Sequence, residues 1–283
     1  MPELPEVQSM IDSLIEQNCT NHTIIDVWTQ MPKLFKNATF DKFKNHLLNE
    51  KISTISRVGK YLIFHLTNDK VFVVHLRMEG KLFYEPNDYP INQRHTLVRI
   101  VFDNKHELRY EDTRRFGTFT MYFENDYLES KELKKLALDP LNKNFNSEYL
   151  KKNIGKSNRA IKTLLLDQTN VSGIGNIYAD EILFASKINP NLPGNKVTKK
   201  QFDDIALHAK RILNLAVENK GTTISTYFYK KEKKGEFQNF LKVHTKKGYP
   251  CPNCKTTIEK TKVNGRGTYY CPKCQKLKKI DQN

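Results

Sequence analysis

The chain reads as an α+β protein: an antiparallel β-sandwich flanked by helices comes first, then a helical domain, then a four-cysteine zinc module. Three observations predict this. Between residues 52 and 123, short runs rich in β-branched and aromatic residues are punctuated by Gly, Asn and Asp. Beyond Leu128 the apolar spacing changes to i, i+3, i+4, the helical period. Near the C-terminus, Cys251-x2-Cys254 is followed 16 residues later by Cys271-x2-Cys274.

Taken in order, Val7, Met10, Ile11, Leu14 and Ile15 place an amphipathic helix over 5–17. Strands are expected at Ile52–Val58, Tyr61–Leu66, Val71–Leu76, Leu97–Phe102 and Thr118–Phe123. Strands this short and this regularly punctuated form hairpins, and their apolar faces pack as a sandwich. Asp139-Pro140 and the polar stretch 142–147 read as a linker. Helices follow at 160–168 and 176–186, joined by Thr169–Gly175. Phe202, Ile205, Ala209, Ile212, Leu213 and Ala216 keep helical period through 201–219, and Gly221 stops that helix as a C-cap residue does. Residues 222–247 are polar, Lys-rich and weakly patterned, and read as a long loop.

The 283 residues suffice for two domains. The formal net charge is +16, which suggests a polyanionic partner. No run of about 18 apolar residues and no signal-peptide core is present, so a membrane span is not expected and the cytoplasm is the expected compartment. Five Cys with no secretion signal argue against a disulfide framework, and Cys19 receives no role.

Cys251, Cys254, Cys271 and Cys274 suit one tetrahedral zinc, each C-x2-C knuckle giving two thiolates. A redox reading of the pairs needs a βαβ setting, which the surrounding sequence lacks. With all four positions taken by sulfur, the metal holds shape and activates nothing. Between the knuckles, the glycines of Val263-Asn264-Gly265-Arg266-Gly267 favour a hairpin tip that presents Arg266 outward. There it is either a solvated turn cation or a phosphate contact.

Val171-Ser172-Gly173-Ile174-Gly175-Asn176 lies between two helices. Its glycines allow close backbone approach and positive φ, and Asn176 is a good N-cap type for the second helix. A helix start of this kind offers N–H groups to a phosphate.

Several segments carry a resemblance when taken in order. They are Met1-Pro-Glu-Leu-Pro-Glu-Val7, Gly59-Lys60-Tyr61-Leu62, His75-Leu-Arg-Met-Glu-Gly80, Arg109-Tyr-Glu-Asp-Thr-Arg-Arg-Phe-Gly117, Gly173-Ile-Gly-Asn-Ile-Tyr-Ala179 and the four-Cys finger. The chain resembles the bacterial formamidopyrimidine-DNA glycosylases, or 8-oxoguanine DNA glycosylases, over nearly its whole length. The resemblance implies a catalytic β-sandwich domain at 1–130, a linker at 131–150, a helix–two-turn–helix domain with a lesion-capping loop at 151–245, and a zinc finger at 246–283. It also implies a bifunctional glycosylase and abasic-site lyase acting on double-stranded DNA that carries an oxidised purine; the sequence itself gives no sign of oligomerisation, so a monomer is expected.

Carried over residue by residue, Met1 is removed and the Pro2 amine is the nucleophile. Glu3 is the neighbouring acid/base, Lys60 assists β-elimination and Arg266 assists δ-elimination. Met78, Arg114 and Phe116 fill the space left by a flipped-out base. His95, Lys162 and Asn176 contact phosphates, and 222–240 closes over the base. An α-amino group titrates at roughly 7.7–8.0, so a useful fraction is neutral and nucleophilic near neutrality. A base inside a duplex must leave the stack before an amine reaches its sugar, and an apolar wedge is a known device for the gap. The sequence departs from the family where Val58 replaces a common Arg and where Val243-His244-Thr245-Lys246 precedes the finger. Two alternatives stay open at this level: an endonuclease VIII-type enzyme for oxidised pyrimidines, and a zinc-bearing DNA binder without catalysis.

Overall fold

Each run expected to form a strand between Ile52 and Phe123 does so to within a residue, in a computed structural model that describes residues 2–223 and 233–277. Met1 and residues 224–232 of the expected loop at 222–240 lie outside those residues. The chain divides into two units, Met1–Lys134 with Asn219–Glu236, and Lys135–Glu218 with Phe237–Asn283.

In the first unit, α1 spans Leu4–Glu16 and α2 spans Phe40–Leu47. The strands are β1 (Ile24–Thr29), β2 (Ile52–Val58), β3 (Tyr61–Leu66), β4 (Lys70–His75), β5 (Lys81–Pro86), β6 (Thr96–Phe102), β7 (His106–Glu111) and β8 (Thr118–Phe123). They form two four-stranded sheets of order β1-β6-β7-β5 and β2-β3-β4-β8, with antiparallel neighbours throughout. The period of two sends Leu62, Phe64 and Leu66 of β3, Phe72 and Val74 of β4, and Val98, Ile100 and Phe102 of β6 into one core. Val7, Met10, Ile11 and Leu14 of α1 join it at helical spacing, as do Phe43 and Leu47 of α2. Phe64 and Phe72 stack at 4.3 Å between ring centroids in the middle of this core.

Three strands, β1, β5 and β7, were not expected. β1 is bulged between Ile24 and Asp26, and a bulge breaks the alternation that marks a strand. β7 buries the charges of Glu107 and Arg109. Glu107 bonds Arg109 Nε on one oxygen and Arg99 Nε at 2.8 Å on the other. Arg109 gives three more of its N–H groups to the carbonyls of Pro86, Tyr89 and Pro90. A fully paired ionic group can stand where an apolar one is expected.

In the second unit, α3 (Ser147–Ile154) starts inside the stretch read as linker. Next come α4 (Ile161–Leu166), α5 (Asn176–Ala185) and the 20-residue α6 (Lys199–Glu218). The finger hairpin is β9 (Glu259–Val263) with β10 (Arg266–Tyr270), beside a small core of Phe184, Val243, Ile258 and the buried Cys251 and Cys271.

Candidate nucleic-acid interface and active site

The N-terminal residues are held from within the first unit. Glu3 is the N-cap of α1, where a capping box operates. The Glu3 side chain accepts from the N3 backbone, and Glu6 Oε2 accepts from Glu3 N at 2.8 Å. The other oxygen of Glu6 accepts from Thr222 N at 2.7 Å. Gly221 passes this carboxylate at φ +78°, and a Cβ there would come within 2.9 Å of Glu6 Oε1. The first turn of α1 is therefore tied to the segment that follows α6. Pro2 and Glu3 are both buried.

Lys60 sits in the two-residue turn that joins Val58 to Tyr61, where Gly59 takes φ +58°. It is buried at 6% exposure, unusual for a lysine in a turn. Arg57 braces the turn, donating to Gly59 O at 2.9 Å and to Gln8 Oε1 of α1 at 3.3 Å. Across the sheet His75 pairs with Tyr61, their rings 4.4 Å apart edge to face. His75 Nδ1 accepts from Arg77 N at 2.9 Å. Burial, helped by the Arg77 and Lys60 charges, pushes its pKa down to about 3. His75 is thus a neutral N–H donor set beside cations, suited to an incoming anion. It was not among the expected contacts, although it begins the quoted His75–Gly80 motif.

The wedge residues form one exposed cluster. Met78 and Phe116 are 41% and 54% exposed. Arg114 touches both, with Nη1 at 2.8 Å from Met78 Sδ and Cζ 5.1 Å from the Phe116 ring centre. Beneath lies buried Asp112. One oxygen accepts from Arg114 N at 2.9 Å; the other takes Phe116 N at 2.8 Å, Gly117 N at 3.1 Å and the Tyr110 hydroxyl at 2.9 Å. Tyr110 fills the space that Gly80 and Gly117 leave, since a Cβ on either would fall within 2.5 Å of its hydroxyl oxygen. His95 accepts from Asp112 N at 3.0 Å through its carbonyl, and its buried Nδ1 has no hydrogen-bond partner among the described residues. Beside the wedge, a cleft of about 390 Å³ is lined by Lys33, Lys36, Arg114 and Arg115 with no acid, a favourable setting for phosphate.

In the second unit the α4–α5 turn takes φ +83° at Gly173, whose N–H is held by Gln168 Oε1 at 2.9 Å. Gly175, not Asn176, is the N-cap of α5; Asn176 is the first helical residue. Its amide donates to Gly267 O of the finger hairpin at 3.0 Å. Lys162 corrects the sequence expectation more strongly. It is fully buried, and its ammonium bonds Asp180 Oδ1 at 2.7 Å, Thr268 Oγ1 at 2.8 Å and Gly267 O at 3.0 Å. All three donors are spent, so Lys162 is no surface phosphate contact; it staples α4 to the hairpin. Arg266 is exposed and follows the Asn264-Gly265 turn, where φ is positive at both residues, as a two-residue hairpin loop requires.

The Sγ atoms of Cys251, Cys254, Cys271 and Cys274 lie within 4.8 Å of one another. Cys254 and Cys271 are 3.5 Å apart, Cys251 and Cys274 3.9 Å. Tetrahedral zinc at its usual sulfur distance needs roughly 3.8 Å between sulfurs, so the four fit one ion. Hydrogen bonds from Thr256 bring the Cys254 thiol down to about 6, while burial pushes the Cys271 and Cys274 thiols up. Among the described residues no helix is long and apolar enough to cross a membrane.

The chain matches the family models described as formamidopyrimidine-DNA glycosylase N-terminal domain over residues 1–119 and H2TH domain over 136–228. It also matches the zinc finger found in FPG and IleRS over 248–277. It is 52% identical to the formamidopyrimidine-DNA glycosylase of Ureaplasma parvum, covering 97% of this chain and 100% of that one. To that of Mycoplasma pneumoniae it is 47% identical, covering 97% and 99%. The structure of Lactococcus lactis Fpg with abasic-site DNA matches at TM-score 0.91 and 34% identity, covering 97% of this chain and all of that one. MutM with DNA carrying carbocyclic 8-oxo-G matches at TM-score 0.90 and 34% identity, covering 98% and 100%.

Proposed function

This chain belongs to the formamidopyrimidine-DNA glycosylase family, and we propose that it removes oxidised purines from DNA and then cuts the strand at the resulting site. The reading places it in base excision repair in the cytoplasm, with double-stranded DNA as partner and one structural zinc. One observation carries it furthest: Met78, Arg114 and Phe116 form an exposed cluster, and the loop carrying Arg114 and Phe116 is gripped by a buried carboxylate. Two large apolar groups left in water side by side, one of them on a loop held by Asp112, suit insertion into a base stack.

In this mechanism Met1 is absent and Pro2 carries the free secondary amine. The nitrogen attacks the sugar C1′, the C1′–N bond to the base breaks, and the base leaves with a proton. Glu3, held at the helix start, is the acid/base group for the base and the opening sugar. The C1′–O4′ bond then breaks, O4′ taking a proton, and the resulting cationic iminium acidifies C2′; loss of that proton expels the 3′ phosphate, with Lys60 assisting. A second elimination expels the 5′ phosphate, with Arg266 at the finger tip as the phosphate-binding group. His95 and the start of α5 at Asn176 hold further phosphates.

The test is borohydride trapping on a duplex with 8-oxoguanine opposite cytosine, using protein with a mature Pro2 terminus. A covalent adduct that disappears in Pro2→Gly supports the reading. An adduct formed only with an oxidised pyrimidine moves the chain to the endonuclease VIII type. Tight binding with no adduct on any lesion leaves a non-catalytic binder. Affinity should fall steeply with salt, because each neutralised phosphate releases counterions.

A further inference from the structure

We propose that Asp180 is a positioning residue for Arg266, acting through Lys162. Asp180 is fully buried in α5, a helix whose other side chains are mostly apolar. Its two oxygens receive bonds from three other elements. Oδ1 takes Lys162 Nζ of α4 at 2.7 Å. Oδ2 meets His244 Nδ1, from the segment before the finger, at 2.8 Å, and takes Tyr269 N of β10 at 3.2 Å. The ammonium of Lys162 passes the connection on to Gly267 O and Thr268 Oγ1. Thr268 in turn donates its hydroxyl to Arg266 O at 2.9 Å. An unbroken chain of hydrogen bonds therefore runs Asp180, Lys162, Thr268, Arg266.

Every link in that chain is buried up to the last, and Arg266 alone is exposed. A two-stranded hairpin with a two-residue tip is by itself marginal and would not hold an arginine in one place. The zinc fixes the base of the finger through its cysteines. The tip lies at the other end of the strands, and these bonds, together with that of the Asn176 amide to Gly267 O, attach its return strand to the helices. His244 adds a further contact to the Asp180 carboxylate, on Oδ2. Charge matters as well as shape: Asp180 is the acid that balances the buried Lys162 ammonium.

This role rests on the phosphate contact assigned to Arg266 above, and the test separates the two. Zinc-loaded full-length protein is titrated with an abasic-analogue duplex over a range of salt, for wild type, Asp180→Asn, Arg266→Gln and the double variant. Zinc content is measured for each. If Asp180 acts through Arg266, Asp180→Asn weakens binding about tenfold and flattens the salt slope by roughly one phosphate. The double variant is then no worse than Arg266→Gln alone. The same pattern is expected in the ratio of second to first elimination product on a cleavable lesion. Thr268→Val removes the hydroxyl link at nearly constant shape and should show a smaller loss in the same direction with zinc retained. Additive effects in the double variant, or losses that track zinc content, overturn the role of Asp180. A wild-type slope in Arg266→Gln sinks the phosphate contact itself, and this proposal with it.

Discussion

Two exposed arginines, one in each unit, are aimed in different ways. Arg114 rides a loop that Asp112 grips directly, one carboxylate collecting three backbone N–H groups within six residues of sequence. Arg266 rides a hairpin whose acid, Asp180, lies 86 positions earlier in the chain and reaches it through a lysine and a threonine. The direct grip fixes loop shape and needs only local folding. The relayed grip fixes one element against others and requires the finger to have folded first. The wedge must keep its form under load, while the finger must keep its place.

The comparison can be broken most severely at the metal. Chelating zinc should unfold the finger, a loss on the order of 10 kcal/mol of metal-linked stability. It should leave the melting of the β-sandwich unit unchanged, as read by hydrogen exchange on its strands. Unfolding of both together would show that the separation is not real. Asp112→Ala is next. It strands buried N–H groups and should cost roughly 3 kcal/mol, lowering excision at least tenfold while zinc content and finger exchange stay as in wild type. A finger that also loosened would refute the local character of that grip.

A smaller effect comes from pH and touches the first unit only. His75 is held below its ordinary pKa, so folded protein stays unprotonated there while unfolded chain takes a proton. Stability from this source is intact above the unfolded pKa and is lost as pH falls from about 6.5 toward 3. At pH 5 the loss should be about 2 kcal/mol. Thermal melts of wild type and His75→Gln should therefore converge between pH 7 and pH 5. A constant gap would mean that His75 titrates normally. Comparable in size is Gly80→Ala, which crowds the Tyr110 hydroxyl and the Leu76 carbonyl. It should lower stability by about 1–3 kcal/mol and excision only as far as Asp112 is displaced.

The sequence made legible whatever depends on spacing or on one residue type. The C-x2-C pairs, the Asn264-Gly265 tip, the helical period of α6 and the glycine turn before α5 all stand as expected. Buried charge was not legible. β7 was missed because Glu107 and Arg109 look like solvent residues and are paired inside. Lys162 was expected to contact phosphate because the resemblance implied it, and nothing local distinguishes a lysine with three internal acceptors from one in water. Asp180 and its neighbour Glu181 left one usable sign, two adjacent acids inside a helix otherwise mostly apolar. His75 was hidden differently, since its character comes from the neighbouring strand and from Arg77 rather than from its own sequence context.

The spent ammonium of Lys162 has a practical corollary. A lysine with no accessible surface and three hydrogen-bond acceptors has no lone pair to offer an electrophile, whereas most of the chain's lysines stand in water. Amine-reactive reagents will therefore modify Lys162 only when the hairpin lifts off the helices. Peptide mapping after a timed pulse of such a reagent would clock how often that happens, with no label engineered into the protein. The same pulse in the presence of DNA would show whether binding stills the motion.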